Sequence, residues 1–337
     1  MSANTLDWDT IIEQVDNGGC TPVIGNYLAG QVVFGDKNMV ELWAQQIGYP
    51  LDARRNLTRI AQYLSFTTGS PLKAKLAYLK FLKEQAVGQA EGSPDADQIY
   101  LKEVRAQLPR VTFSELVCEN LHRPNFQDDK DNLFSILAQL DFKLYLTTSP
   151  HRLLEATLTA CGKTPHTEVY AWRDDIQDML EQKELLFNPK SEPVFTPTVQ
   201  EPLVIHLHGI DDVPGSLVLT EDDYLEFLVN ITRDLPTSVI RHEMRKAIQN
   251  SLLLLIGYRM HAWDLRVLLQ GVIRKKSTTS QVDSFAVQLD PQQMDGMLNA
   301  ANYQNYLTNY FGKIDFKIYW GNPSDFVQML WDKVGGQ

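Results

Sequence analysis

Ser251-Leu252-Leu253-Leu254-Leu255-Ile256-Gly257 is the stretch that decides the fold. Five consecutive aliphatic residues closed by a glycine leave no polar alternation. A strand with this pattern has no solvent face, which is the mark of a parallel sheet covered on both sides. Working outward, Thr21-Pro22-Val23-Ile24-Gly25 reads as a second short buried strand, with Pro22 expected near its start or on an edge. Phe142 to Thr147, His166 to Trp172, Leu203 to His208, Ser284 to Leu289 and Phe316 to Trp320 read as further strands. Helical spacing fills the intervals: Met39, Leu42, Trp43 and Ile47, then Leu72, Leu76, Leu79 and Leu82, with a Gly/Pro/Asp-rich break from Gly88 to Asp97. Short apolar strands alternating with helices predict an α/β protein with a Rossmann-like parallel sheet. Residues 36–135 form a helical insertion, or lid, within one domain spanning 1–337.

The bulk numbers narrow the function. A formal net charge of -11 works against a surface that tracks phosphates, so direct nucleic-acid contact is not expected. Cys20, Cys118 and Cys161 show no C-x-x-C spacing, so neither a zinc ribbon nor a disulfide framework is indicated, and all three read as buried apolar residues. The first nine residues lack a basic and apolar leader pattern, and no apolar run is long enough for a bilayer. The expectation is a cytoplasmic protein with no membrane contact.

In parallel sheets ligands bind beyond the carboxyl ends of the strands. Four such ends carry distinctive residues. The first is Val23-Ile24-Gly25-Asn26, and the second is Leu146-Thr147-Thr148-Ser149-Pro150-His151-Arg152-Leu153-Leu154-Glu155. Within the second, Ser149 reads as an N-cap and Pro150 as the first helical residue. The third is Ile205-His206-Leu207-His208-Gly209, continuing through Pro214 to Leu217-Val218-Leu219-Thr220-Glu221-Asp222-Asp223-Tyr224. There Thr220 and Asp223 have capping-box spacing, with Asp in the place of the usual Glu. The fourth is Leu255-Ile256-Gly257-Tyr258-Arg259, with Asp264 and Arg266 downstream.

Taken together, in this order, these blocks resemble the SIR2-like (sirtuin-related) family, whose members carry a glycine loop, a T-T-N-x-D turn, a strand ending in His-Gly, an LVLT-x-x-DY segment and a late GYS-x-x-D-x-x-R segment. The lack of zinc-ribbon cysteines makes the chain similar to the NAD-hydrolysing modules of bacterial antiviral defence rather than to protein deacylases. The resemblance implies the SIR2/DHS-like NAD-binding fold, NAD or ADP-ribose as ligand, no zinc, and cleavage of the nicotinamide–ribose bond. It implies His208 as general base and Ser149 as the ribose-contacting residue. Gly25, Asn26, Thr148, Gly209, Gly257, Tyr258, Arg259 and Asp264 would surround the ligand. Here Ser149 stands where the family carries Asn, and His151 where it often carries Asp. Arg259 replaces a small polar residue. An unregulated NADase would poison its own cell, so a gate is expected: a homo-oligomer, a partner protein of a defence system, or occlusion by the helical insertion.

Two other classes fit parts of the sequence. His206-x-His208 followed by Asp211-Asp212 offers metal-ligand types, although the H-x-H-x-D-H spacing is not met. A module that binds NAD, ADP-ribose or a partner without turnover accommodates Ser149 and Arg259.

Overall fold

A computed structural model of the chain describes residues 6–35, 37–52, 54–122, 132–186, 195–232, 250–258, 284–288, 299–313 and 315–335. Its described strands are β1 (Cys20–Ile24), β2 (Leu144–Thr147), β3 (His166–Val169), β4 (Leu203–His206), β5 (Leu252–Ile256), β6 (Ser284–Gln288) and β7 (Phe316–Trp320). They form one sheet in the order β3-β4-β2-β1-β5-β6-β7. Every pairing is parallel. The leucine run therefore forms an inner strand, and its side chains divide by period two. Leu252, Leu254 and Ile256 join the core that holds Trp43, Phe34 and Phe134. Leu253 and Leu255 join the core on the opposite face with Ile205, Phe227 and Phe311.

Pro22 departs from expectation, because β1 is the middle strand of the sheet. The β1–β5 register runs through it, Pro22 opposite Leu254, whereas the β1–β2 register begins only at Val23 opposite Leu146. The ladder with β2 thus starts beyond the residue that has no N–H, which is how proline is accommodated away from an edge. The sheet's outer strands are its more polar ones: His166, Thr167 and Glu168 on β3, and Lys317 on β7, are not buried.

Between β1 and β2 the chain passes through α2 (Asn26–Phe34), α3 (Met39–Gln46), α4 (Leu57–Thr68), α5 (Pro71–Glu91), α6 (Gln98–Gln107), the short α7 (Phe113–Glu115) with a π-helical turn at Leu116–Asn120, and α8 (Leu133–Gln139). The predicted break is narrower than read, since α5 runs through Gly88 to Glu91 and Asp97 caps α6. The buried face of α5 is also rotated. Leu79 and Leu82 are in the core, but Leu72 and Leu76 are exposed, and Lys75 takes the inward position one helical turn before Leu79.

Lys75 is 2% exposed. Its Nζ donates to Asp223 Oδ1 at 3.0 Å and to the Gly215 carbonyl at 3.3 Å, and it lies 5.4 Å from the centre of the Trp172 ring. Asp223 is 3% exposed and sits in the first turn of α11 (Glu221–Thr232). Its Oδ2 accepts from the Leu219 and Thr220 amides at 3.1 and 2.9 Å, while its own amide donates to Thr220 Oγ1 at 3.1 Å. The capping box read from the sequence therefore forms with Asp in the Glu position. Nearby, Gln62 of α4 bonds Asp222 at 2.7 Å, and Arg59 pairs with Glu221 at 3.3 Å. These contacts fasten the helices after β1 onto the segment after β4.

Removing one partner of a buried ion pair leaves the other charge stranded, at a cost of about 3–5 kcal/mol. Lys75→Ala should lower the unfolding free energy by about that much in denaturant titration. Lys80→Ala, which removes the exposed Lys80–Glu84 pair of the same helix, should change it by less than about 1 kcal/mol. Equal effects of the two substitutions would show that the buried pair does not anchor the helices.

Candidate functional site

The ends of β4, β2, β1 and β5 lie side by side, so the four motifs meet at one edge of the sheet. After β1 the chain continues through β2, β3 and β4 on one side, then crosses to β5 on the other. This makes the β1/β5 boundary the topological switch point, where ligands of open α/β sheets bind. Gly25 and Gly257 face each other there. A Cβ on Gly25 would lie 2.3 Å from the Gly257 carbonyl oxygen, and one on Gly257, whose φ is +80°, would lie 2.3 Å from Leu28 Cγ. Gly25 is thus required by neighbouring backbone, and Gly257 by its positive φ and the Leu28 side chain. Gly25 also precedes the first residue of α2, Asn26, so the free N–H groups of that helix start at the switch point.

The end of β2 is polar yet sealed. Thr147 Oγ1 donates to the Ile24 carbonyl at 3.1 Å and accepts from the Ser149 amide at 2.9 Å. Thr148 Oγ1 meets the Tyr258 hydroxyl at 3.2 Å, tying this turn to the end of β5. Ser149 is not an N-cap. The next helix, α9 (Leu153–Ala160), starts later, with Arg152 at its N-cap position and no side-chain cap. Ser149 Oγ instead accepts from the His151 amide at 3.3 Å, closing a small turn.

His206 and His208, only two positions apart, have opposite surroundings. His206 ends β4 and is fully buried, with Nδ1 donating to the Ser149 carbonyl at 2.8 Å and Nε2 facing Glu155 Oε1 at 2.7 Å. Burial disfavours charge on His206, but the charge and hydrogen bond of Glu155, with the Ser149 carbonyl, outweigh it and raise its pKa. For Glu155 burial acts upward, and the His206 charge and hydrogen bond outweigh it, holding the carboxylate below its usual range. Both ring nitrogens of His206 are engaged by protein, which removes it from the metal reading. Among the described residues no group of three or more His, Cys, Asp or Glu side chains is placed to hold a metal ion.

His208 lies beyond the strand, its ring edge-on to Tyr224 and Phe227 at 5.2 and 4.9 Å. Nδ1 is 3.5 Å from the Tyr224 hydroxyl, and the buried Nε2 has no partner among the described residues. Burial pushes the pKa of His208 down to about 3, so the ring is neutral at physiological pH. Its backbone is fixed by the Val218 amide, which donates to the His208 carbonyl at 3.0 Å. Gly209 follows with φ +80°, and a Cβ there would lie 2.2 Å from the Ser216 carbonyl oxygen. The loop after β4 thus needs that glycine to fold back on itself.

Of the sequence-derived residues, Gly25, Asn26, Thr148, Ser149, His208, Gly209, Gly257 and Tyr258 stand at these strand ends, while Arg259 and Asp264 lie outside the described residues. Sequence reading passed over Glu155 as the partner of His206, and over a buried cluster in which Asp211 joins Ser114 and His151. Glu155 and Asp211 both sat inside quoted motifs, but their partners lie far away in the chain. Cys20 is buried as expected; Cys161 is exposed and Cys118 intermediate.

The two histidines give opposite pH signatures. His208 has a folded pKa below the usual value of about 6.5, so between about pH 3 and 6.5 only the unfolded chain binds its proton, and stability rises with pH. His206 has a raised folded pKa. Its contribution is complete below about pH 6.5 and is lost as pH climbs through the folded value. His208→Asn should flatten the acid limb of a stability–pH curve by up to about 1.4 kcal/mol per pH unit, and His206→Gln should remove the alkaline decline instead. The same change from both variants would contradict the assigned environments.

A protein-family model described as the SIR2-like domain matches residues 143–311, while no curated protein matches the chain. The matched region takes in β2 to β6 and most of α12 (Ala300–Gly312). It includes three of the four strand ends; the β1 end and the helices that follow it lie outside. Among the described residues no helix is long and apolar enough to cross a membrane. With half of its length matched and a parallel sheet of the corresponding architecture, the chain belongs to the SIR2-like domain family of NAD-binding α/β proteins.

Proposed function

We propose that the protein hydrolyses NAD+ to nicotinamide and ADP-ribose, as an effector whose activity is gated in the cell. The observation that carries this reading is His208: a buried, neutral imidazole at the end of β4 whose Nε2 has no partner among the described residues. An unsatisfied buried nitrogen costs free energy, and ligand sites are where such a cost is accepted. For Nε2 to accept a proton or hydrogen bond, the ring must carry its hydrogen on Nδ1, toward Tyr224. Nε2 then faces a ribose hydroxyl or the incoming water. The amide groups at the start of α2, beside Gly25 and Asn26, suit the diphosphate. In this reading Thr148, Ser149, Gly209, Gly257 and Tyr258 surround the ligand, and Arg259 and Asp264 join them by their place in the motif. A role in antiviral defence, and a homo-oligomer or partner chain as the gate, go with this reading.

A second reading is binding of NAD, ADP-ribose or a partner protein without turnover. The depressed basicity of His208 and the engagement of Ser149 Oγ by the His151 amide favour it.

Incubation of the purified chain with NAD+, followed by chromatography for nicotinamide, separates the two. The expected result is nicotinamide release that falls about 100- to 10,000-fold in His208→Ala, with ADP-ribose binding by calorimetry reduced far less. Full activity in His208→Ala would overturn the assignment of the base. Binding without release, in cell extract as well as with the purified chain, would favour the second reading.

A further inference from the structure

His151 stands where the family pattern often has a carboxylate, and it brings its own carboxylate from elsewhere. It is buried at 5% exposure in the turn after β2, with Nδ1 3.4 Å from Asp211 Oδ2. Asp211 is held on all sides. Its Oδ2 accepts from the Ser114 amide at 2.8 Å, both of its carboxylate oxygens lie within 2.9 Å of Ser114 Oγ, and its own amide donates to the Pro150 carbonyl at 2.9 Å. Burial acts to raise the Asp211 pKa, but the hydrogen bond from His151, the charge that ring carries when protonated and the hydrogen bonds from Ser114 outweigh it and hold the carboxyl below its usual range. The Phe113 ring lies 4.4 Å from the imidazole and fixes its plane. Beyond Asp211, the His151 ring has no hydrogen-bond partner among the described residues.

A carboxylate at Nδ1 selects the tautomer with its hydrogen there and leaves the Nε2 lone pair available, the orientation a general base needs. It also compensates the imidazolium formed when a proton is taken. His208 has no such partner, being walled by Tyr224 and Phe227. Resting on the NAD-hydrolysis reading, we propose that His151, oriented by Asp211 and Ser114, is a second catalytic histidine and takes the proton from the attacking water.

In that step a water O–H proton passes to His151 Nε2 as the water oxygen bonds to ribose C1′. The C1′–N bond breaks, its electron pair neutralises the nicotinamide ring, and the proton leaves His151 for solvent. His208 serves as the neutral acceptor for a ribose hydroxyl. The helices after β1 are then part of the site, because α7 supplies both Phe113 and Ser114.

The test uses the full chain, with NAD+ as substrate and ADP-ribose as binding probe. His151→Gln should lower kcat about 100- to 10,000-fold with little change in ADP-ribose Kd. Asp211→Asn should lower it by up to about 10,000-fold, the effect of replacing the carboxylate that sets the tautomer of a base histidine. Nitrogen-15 NMR of the wild-type imidazoles should find His151 carrying its hydrogen on Nδ1, a condition the proposal requires and one that is readable even where a variant fails to fold. Wild-type rates in folded His151→Gln, or a hydrogen on Nε2 in the wild type, overturn the proposal and leave the NADase reading standing. A wild-type protein that binds ADP-ribose yet releases no nicotinamide, in cell extract as well as purified, overturns both.

Discussion

The buried Lys75–Asp223 pair is the constraint that joins the two halves of the protein. Taking two charges out of water is expensive, and their attraction offsets the cost only when every remaining donor and acceptor is used. Here the accounting is nearly complete: Lys75 reaches the Gly215 carbonyl and the Trp172 ring as well as Asp223, and Asp223 closes the amide groups at the start of α11. The result is less a reservoir of stability than a fixed docking register. Rigid separation of α5 from α11 would return both charges to water, whereas substitution of Lys75 strands Asp223 in the interior.

That register reaches the site through short steps. Asp223 fixes Leu219 and Thr220, the Val218 amide holds the His208 carbonyl, and the Ser216 carbonyl crowds Gly209 while accepting from Trp172 Nε1 at 2.8 Å. The position of His208 is consequently set by the helices after β1 as much as by β4. His206 is set differently, by Glu155 of α9 and the Ser149 carbonyl. One histidine is a charged strut between β2, β4 and α9, and the other is a neutral ring with an open nitrogen. Two residues in one short sequence motif have been given opposite surroundings by what packs over each.

The sheet was legible because its information is local. A run such as Leu252–Ile256 states its own burial, and six of the seven described strands fall within the segments read from the sequence, while β1 begins one residue before its segment, at Cys20. The capping box at Thr220 and Asp223 is likewise written within four residues. Pro22 misled because a missing N–H matters only where a neighbouring ladder needs it, and the β1–β2 register begins just after it. The site was legible only as a set of strand ends. Its working pairs span the chain: Ser114 and Asp211 are 97 positions apart, and Lys75 and Asp223 are 148. No periodicity encodes such partners. Lys75 alone left a trace, a lysine within the helical stripe of Tyr78, Leu79 and Leu82, and the leucines at 72 and 76 drew the eye to the wrong face.

The glycines require a similar separation of causes. Gly25, Gly209 and Gly257 each stand at a strand end facing the site, and a phosphate-approach role is the first meaning such positions suggest. Yet each is already required by the protein's own backbone or core: Gly25 by Gly257, Gly257 by Leu28 of α2, and Gly209 by Ser216. What these glycines accomplish is to let the ends of β1 and β5 close together and the loop after β4 turn back tightly. The closure brings the start of α2, the Thr148–Tyr258 contact and the His208 loop to one edge of the sheet. The geometry of the motif is therefore a consequence of packing within the protein. The glycines build the edge, and in the proposed reading the imidazole of His208 and the amides at the start of α2 are the groups there that address a ligand.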